Sequence, residues 1–204
     1  MPKLVDHNKR RKHFIISAMS VLASKGYSNF NLRAVAEEAG FTTGAMAHYF
    51  DDKEALLLAV FHFYADHMSS FVDKLMTESS DPKRKLERVL LSLLPIDDQH
   101  KAGWKIWFEL SRLARSEKEY CALRRQLYLK WQQVLGCLIH NLLTREMAPD
   151  AVSGQMDAEH ILAWLDGICL QVLTTPKDYS PERQMQLLDD FLGKLFCKEF
   201  ARDF

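Results

Sequence analysis

Five of the first twelve residues are cations: Lys3, Lys9, Arg10, Arg11 and Lys12. Such a run at one end of a chain is suited to a polyanion. It suits a solvated, frayed terminus equally well, and charge alone does not separate the two. Lys53 is a further cation in an uncomfortable position. It follows Asp51-Asp52 and precedes Glu54, in the first turn of a predicted helix, where the helix dipole repels positive charge. A phosphate at that helix N-terminus would account for it; the alternative is a solvated surface lysine. Farther on, Trp104, Trp107, Phe108, Trp131 and Trp164 form a large aromatic holding. Such rings can box a quaternary ammonium by cation–π attraction, with Asp166 or Glu109 as counter-charge. They can also be core, as rings at helical spacing usually are.

Other chemistry lacks its residues. There is no GxSxG, HExxH, P-loop or Gly-rich dinucleotide fingerprint, so neither a catalytic set nor a cofactor is expected. Cys137 and His140 share a CxxxH spacing, but two ligands do not make a zinc site. The expectation there is a buried cysteine and a surface histidine. His62 and His67, with Asp66 between them, are expected to be solvated or helix-packing. The cysteines Cys121, Cys137, Cys169 and Cys197 are far apart. With no CxxC pair and no export signal, they read as reduced thiols in the cytoplasm. No apolar run approaches the roughly 20 residues that cross a bilayer, so no membrane partner is expected.

The elements that must position these residues are helices. The 204 residues are 48% hydrophobic and 26% charged, ordinary for a folded protein. Only 8 Gly and 6 Pro are present, few for the turns of a strand-rich fold. The balanced charge hides an asymmetry. Residues 1–51 carry seven Lys/Arg against four Asp/Glu, +3, and residues 52–204 carry twenty against twenty-three, −3. Phe14, Ile15, Ala18, Val21 and Leu22 recur at helical spacing before Gly26. Asn31 and Thr42 can cap two short helices, with Gly40 ending the first in a left-handed conformation. Asp51-x-x-Glu54 has a capping-box form and opens a long helix. Further helices are predicted after Asp81-Pro82, over about 99–115 and 118–145, over 155–173, and from Ser180-Pro181 onward. That makes nine helices and an all-α fold.

Two short helices joined by a tight turn make a helix-turn-helix unit. Ala36 is the small residue where they touch, and Gly40 tolerates positive φ at the turn. Leu32, Val35, Phe41 and Met46 face the first helix. The stretch Asn31-Leu32-Arg33-Ala34-Val35-Ala36-Glu37-Glu38-Ala39-Gly40-Phe41, then Thr42-Thr43-Gly44-Ala45-Met46-Ala47-His48-Tyr49-Phe50, then Asp51-Asp52-Lys53-Glu54-Ala55-Leu56 resembles the TetR family of bacterial transcription regulators. The likeness covers roughly 45 residues, and nine helices fit that family's whole chain. Ala47 stands where many relatives have an aromatic residue. The resemblance implies that the second short helix lies in the major groove with Thr42, Thr43, Gly44 and Ala45 at its reading end. It implies phosphate or base contacts for His48 and Tyr49, and phosphate for Lys53, while Tyr49 can also be core filling beside Phe50. Arg33 is a further candidate contact or, equally, an exposed helix charge.

In that family the remainder of the chain holds the effector and forms the dimer. Lys105-Ile106-Trp107-Phe108, Ala163-Trp164-Leu165-Asp166-Gly167-Ile168-Cys169-Leu170 and Met1-Pro2-Lys3-Leu4 resemble the choline-responsive repressors of glycine-betaine synthesis. Cys169 stands where an aromatic residue is expected in those repressors. The resulting expectation is a cytoplasmic, homodimeric repressor that a small molecule releases from a palindromic double-stranded DNA operator. Its effector would be a quaternary ammonium or an apolar compound. Residues 1–51 would bind DNA, and residues 52–204 would bind ligand and dimerise. The dimer would form on the helices at 155–173 and 180–198, with Ala163 and Gly167 allowing close approach. The rivals are a small helical enzyme, which would show a strongly perturbed titratable group in a pocket, and a helical interaction module with no role on DNA.

Overall fold

The computed structural model describes residues 6–77, 81–146 and 154–195, and among these there is helix and no strand. The elements are α1 (His7–Lys25), α2 (Leu32–Glu38), α3 (Thr43–Ala47), α4 (Lys53–Thr77), α5 (Pro82–Leu93), α6 (Asp98–Leu113), α7 (Lys118–Glu146), α8 (Gly154–Thr174) and α9 (Pro181–Leu195). Single 3-10 turns follow α1 at Tyr27–Asn29 and α8 at Pro176–Asp178.

The boundaries follow from capping chemistry. Asn31 Oδ1 accepts from the Ala34 amide at 2.9 Å and Thr42 Oγ1 from the Ala45 amide at 3.2 Å, starting α2 and α3. Gly40 has φ of 73°, which a side chain would strain, and it turns the chain out of α2. At α4 the cap is Asp52 instead of Asp51, because Asp52 Oδ1 accepts from the Ala55 amide at 2.7 Å. The expected box therefore does not form, since Ala55, three residues after this cap, has no side chain to return the bond. Asp81 accepts from the amides of Lys83 and Arg84, with Pro82 in the first turn of α5. The break predicted at Met147-Ala148-Pro149-Asp150 and the predicted extension of the last helix past Leu195 lie outside the described residues.

Helix α1 begins earlier than its apolar spacing suggests. Asp6 accepts from the Lys9 amide at 3.0 Å, so Lys9, Arg10, Arg11 and Lys12 ride on the first turns of a helix. Lys3 lies outside the described residues.

The chain forms two compact units. The first comprises Met1–Ser69 and Lys105–Arg125, the second Ser70–Trp104 and Gln126–Phe204. Helices α4, α6 and α7 each contribute a segment to both. The core of the first unit centres on Phe14, Leu22, Met46, Leu56, Phe61 and Leu110, all within 1% of full burial. The core of the second holds Leu86, Leu90, Leu135, Ile161, Leu188 and Leu192, each at 0% exposure. There the buried Gln184 donates from Nε2 to the Tyr179 carbonyl at 3.0 Å and to the Pro95 carbonyl at 3.5 Å, tying the start of α9 to the turn after α5.

Two expectations need correction. Residues Lys53–Lys74 of α4 are long and apolar enough to cross a bilayer by length and composition, with a mean hydropathy of 1.3. His62, Asp66 and His67 hide this from a search for uninterrupted apolar runs. The apolar residues Leu56, Leu57, Val60 and Phe61 are packed inside the first unit, as in a core helix. Cys137 is exposed, with the Asn141 side-chain amide donating to its sulfur at 3.5 Å. Cys169 is the buried thiol instead. Burial, helped by the nearby Asp166 charge, pushes it well above the ordinary cysteine range.

Candidate nucleic-acid interface

The α2–α3 turn is closed by the Phe41 amide donating to the Ala36 carbonyl at 2.8 Å. Ala36 is 1% exposed, so a larger side chain there would separate the helices. Helix α1 braces the turn from behind. His13 Nε2 donates to the Ala39 carbonyl at 3.1 Å, and Ser20 Oγ donates to Glu38 at 2.9 Å. The Phe14 ring lies 5.4 Å from both Phe41 and Tyr49. Met46, at 0% exposure, pins the inner side of α3.

With that side buried, the outer side presents what it carries. Thr42, Thr43, Gly44 and His48 are exposed, and Ala45 is half-buried. The Thr42 hydroxyl oxygen serves as the α3 cap, which leaves its proton to donate. A Cβ at Gly44 would meet only Thr42 Oγ1, at 3.9 Å, so the glycine opens outward and lets another backbone approach. Tyr49 is half-buried against Phe14, and its hydroxyl lies 3.1 Å from His7 Nδ1. His7 is a member of this surface that spacing along the chain gave no means to identify. Arg33 is exposed on α2.

The cations on this unit are laid across rings. Arg10 lies 4.4 Å from the Phe41 centroid, Arg11 5.0 Å from Phe50, and Lys12 5.6 Å from Phe63. Lys53 Nζ stands 3.8 Å from the Tyr27 centroid, so its charge in the first turn of α4 has a partner within the protein. All of the predicted DNA contacts, Arg33, Thr42, Thr43, Gly44, Ala45, His48, Tyr49 and Lys53, fall in the first unit.

The predicted effector aromatics are divided. Trp107, 8% exposed, and the half-buried Phe108 belong to the first unit. The Arg124 guanidinium lies 4.9 Å over Trp107 and donates from Nε to Ser111 Oγ at 2.9 Å. Trp104, Trp131 and Trp164 belong to the second unit. Trp104 donates from Nε1 to the Leu93 carbonyl at 2.6 Å. Trp131 is 9% exposed. Trp164 stacks on Phe191, centroids 4.9 Å apart and planes 13° from parallel. Of the proposed counter-charges, Glu109 accepts from Arg112 at 2.8 Å in the first unit, and Asp166 is half-buried on α8. Asp157, also half-buried on α8, is a carboxyl that burial raises above its ordinary range.

A helix-turn-helix braced on a basic helix, joined to a larger helical body, defines a DNA-binding regulator. Comparison with known families agrees. Residues 82–196 match the BetI-type transcriptional repressor C-terminal family, and residues 15–60 match the tetR family of bacterial regulatory proteins. The chain belongs to the TetR family, with a C-terminal region of the BetI type. It is a ligand-responsive, DNA-binding transcriptional regulator and not an enzyme. The transcriptional regulator PksA of Bacillus subtilis is 24% identical over 204 residues, covering 100% of this chain and 97% of that protein. The regulator BetI of Paraburkholderia phymatum is 23% identical over 205 residues, covering 98% and 100%. A transcriptional regulator from Saccharomonospora viridis, solved in complex with choline, shares the fold with a TM-score of 0.82 at 22% identity, covering 91% of this chain and 96% of that one.

Proposed function

We propose that this regulator is a cytoplasmic, homodimeric repressor, released from a palindromic operator by a small lipophilic cation. The observation that carries the DNA half is the reading end of α3. Its inner side is buried through Met46 while Thr42, Thr43, Gly44 and His48 stand uncovered. In the major groove, Thr43 donates to a phosphate or a base, the Ala45 methyl meets a thymine methyl, and His48, Tyr49, Arg33 and Lys53 hold the flanking backbone. Residues 1–51 carry this task, and residues 52–204 carry ligand binding and dimerisation. Dimerisation through α8 and α9 sets the two reading heads about 34–36 Å apart, the spacing of successive major grooves. Exposed Ala163, Gly167 and Leu170 follow one another along α8 and support that surface.

For the effector, the proposed rings are Trp104, Trp131 and Trp164 of the second unit, with Asp166 as counter-charge. The BetI-type C-terminal match and the choline complex of the Saccharomonospora viridis regulator support a quaternary ammonium. Trp107 and Phe108 lie farther along the same helix as Trp104 and are proposed to sense it. An ammonium arriving at Trp107 itself would compete with Arg124. An effector that binds the conformer with mismatched heads weakens DNA binding by its coupling free energy.

The test is fluorescence anisotropy on a labelled duplex covering the promoter of the protein's own gene. Binding should fall steeply with salt. Choline or betaine aldehyde should release the duplex. If only a medium-chain fatty acid does so, the cation reading fails and the DNA reading stands.

A further inference from the structure

We propose that Tyr27 is a positioning residue for Lys53, and that α6 sets that position through Arg112. This rests on the reading of Lys53 as a phosphate contact. Gly26, with φ of 72°, swings the chain out of α1 and into the turn that holds Tyr27. Two cations converge on its ring: Lys53 Nζ at 3.8 Å and the Arg112 guanidinium carbon at 4.3 Å from the centroid. Both are attracted by the negative face of the ring. Their mutual repulsion is relieved because Arg112 Nε donates to Glu109 at 2.8 Å. One element thus grips this corner twice. Lys105 Nζ, two turns before Arg112 on α6, donates to the Ala23 carbonyl in the last turn of α1 at 2.8 Å. All these groups lie in the first unit.

The consequence concerns order. A lysine ammonium on a flexible stem loses rotamer freedom when it binds phosphate, and the first turn of α4 repels it. The Tyr27 ring offsets that repulsion and holds the charge at the helix N-terminus before DNA arrives. DNA binding then has less ordering left to do. The setting is adjustable from α6, because the ring answers to Arg112 as well as to Lys53.

The experiment is a double-mutant cycle read by anisotropy on the same promoter duplex across a salt series, with thermal unfolding of each variant as a folding check. Tyr27→Leu should weaken binding about threefold to fivefold and lower the salt slope toward that of Lys53→Ala. Tyr27→Phe keeps the ring and should retain wild-type affinity and slope. In the Lys53→Ala background, Tyr27→Leu should cost nothing further. Arg112→Gln should weaken binding about twofold, an effect that disappears in the Tyr27→Leu background. If Tyr27→Leu does not fold, the cycle between Arg112→Gln and Lys53→Ala decides in its place. A folded Tyr27→Leu with wild-type slope overturns the proposal, as do losses that add between Tyr27→Leu and Lys53→Ala, or between Arg112→Gln and Lys53→Ala. If Lys53→Ala itself changes nothing, the phosphate reading of Lys53 falls and takes this proposal with it. If wild type binds the duplex but Tyr27→Leu and Tyr27→Phe behave alike, only the positioning role of the ring falls.

Discussion

Aromatic residues do different work in the two units. In the first, ring after ring carries a cation of the same unit: Phe41 takes Arg10, Phe50 takes Arg11, Tyr27 takes Lys53 and Arg112, and Trp107 takes Arg124. In the second, Trp164 stacks on Phe191, and Trp104 is anchored by its ring nitrogen to the Leu93 carbonyl. On the function proposed above, the contrast suits the two tasks. A surface that meets phosphate needs cations held in place, and a ring orders a charge without neutralising it. A body that takes up a small molecule needs rigid walls, and stacking or a ring N–H bond fixes a wall while leaving ring surface for a guest.

The largest expected effect comes from the second unit. A Cβ built at Gly167 meets nothing within 4 Å inside the chain, and the residue is exposed. Gly167→Trp should therefore leave the monomer folded, with unchanged circular dichroism. If α8 is the dimer surface, the same change should give monomers by light scattering and cost about a hundredfold or more in operator affinity, because the two heads no longer bind as one. A dimer that persists in this variant moves the interface elsewhere.

The thiols provide a second contrast. Cys121 and Cys137 are exposed and Cys169 is buried with a raised pKa. An alkylating reagent at mildly alkaline pH should label the first two and reach Cys169 about a hundredfold more slowly, at the rate of opening. Peptide mass mapping reads this directly. Equal labelling of Cys169 would mean that the second unit opens far more readily than its packing implies.

Changes at the reading end should alter preference and leave the fold. Thr43 and His48 are exposed, so Thr43→Ala and His48→Ala should leave the unfolding temperature near wild type. Each should shift discrimination between operator variants by about tenfold if it reads a base. Uniform weakening across all variants would instead assign that side chain to phosphate.

High pH acts on the same unit from inside. Burial pushes Tyr120 up to about 12, with nearby carboxylates adding to it. A folded pKa above the unfolded value near 10 gives stability that is complete below pH 10 and is lost as pH rises toward 12. Tyr120→Phe should flatten that part of the stability profile measured by urea unfolding. An unchanged profile would relocate the alkaline sensitivity.

How far the sequence carries can be judged from particular residues. Asn31, Thr42, Gly40 and Asp81-Pro82 act within a few residues of themselves, and their cap and turn chemistry is legible as spacing. The family likeness was legible for the same reason, since the helix-turn-helix is a local object. Tyr27 was not, because its partners are 26 and 85 positions away, and no periodicity announces Lys53 or Arg112 as the occupants of its ring. Lys105, which reaches Ala23 across 82 residues, is a similar case. The exposure of Cys137 is not legible as spacing, because its neighbours Leu138 and Ile139 are buried and one step around a helix turns a residue from core to solvent.

A modest expected effect, and the one that bears most on the contrast between units, is that of the effector. A single cation–π contact contributes about 0.5–2 kcal/mol, so losing one ring should weaken an ammonium effector by only about twofold to thirtyfold. Trp164 is the ring to remove first. It is half-buried, one of its faces is taken by Phe191, and it belongs to the second unit, so its loss leaves the reading head in place. Trp164→Leu should retain effector-free operator affinity while raising the choline concentration that releases the duplex. Trp107→Ala is the paired control. It frees Arg124 from its ring, so effector-free affinity changes there if Trp107 serves mainly to order the first unit. It stays constant, with the choline response weakened by a similar factor, if Trp107 is a wall of the effector site. If choline quenches tryptophan fluorescence equally in wild type and Trp164→Leu, and releases DNA from both at one concentration, Trp164 is core and the cation is held by other groups. If choline releases DNA from neither and only a medium-chain fatty acid does, the effector is instead an apolar, uncharged or anionic molecule.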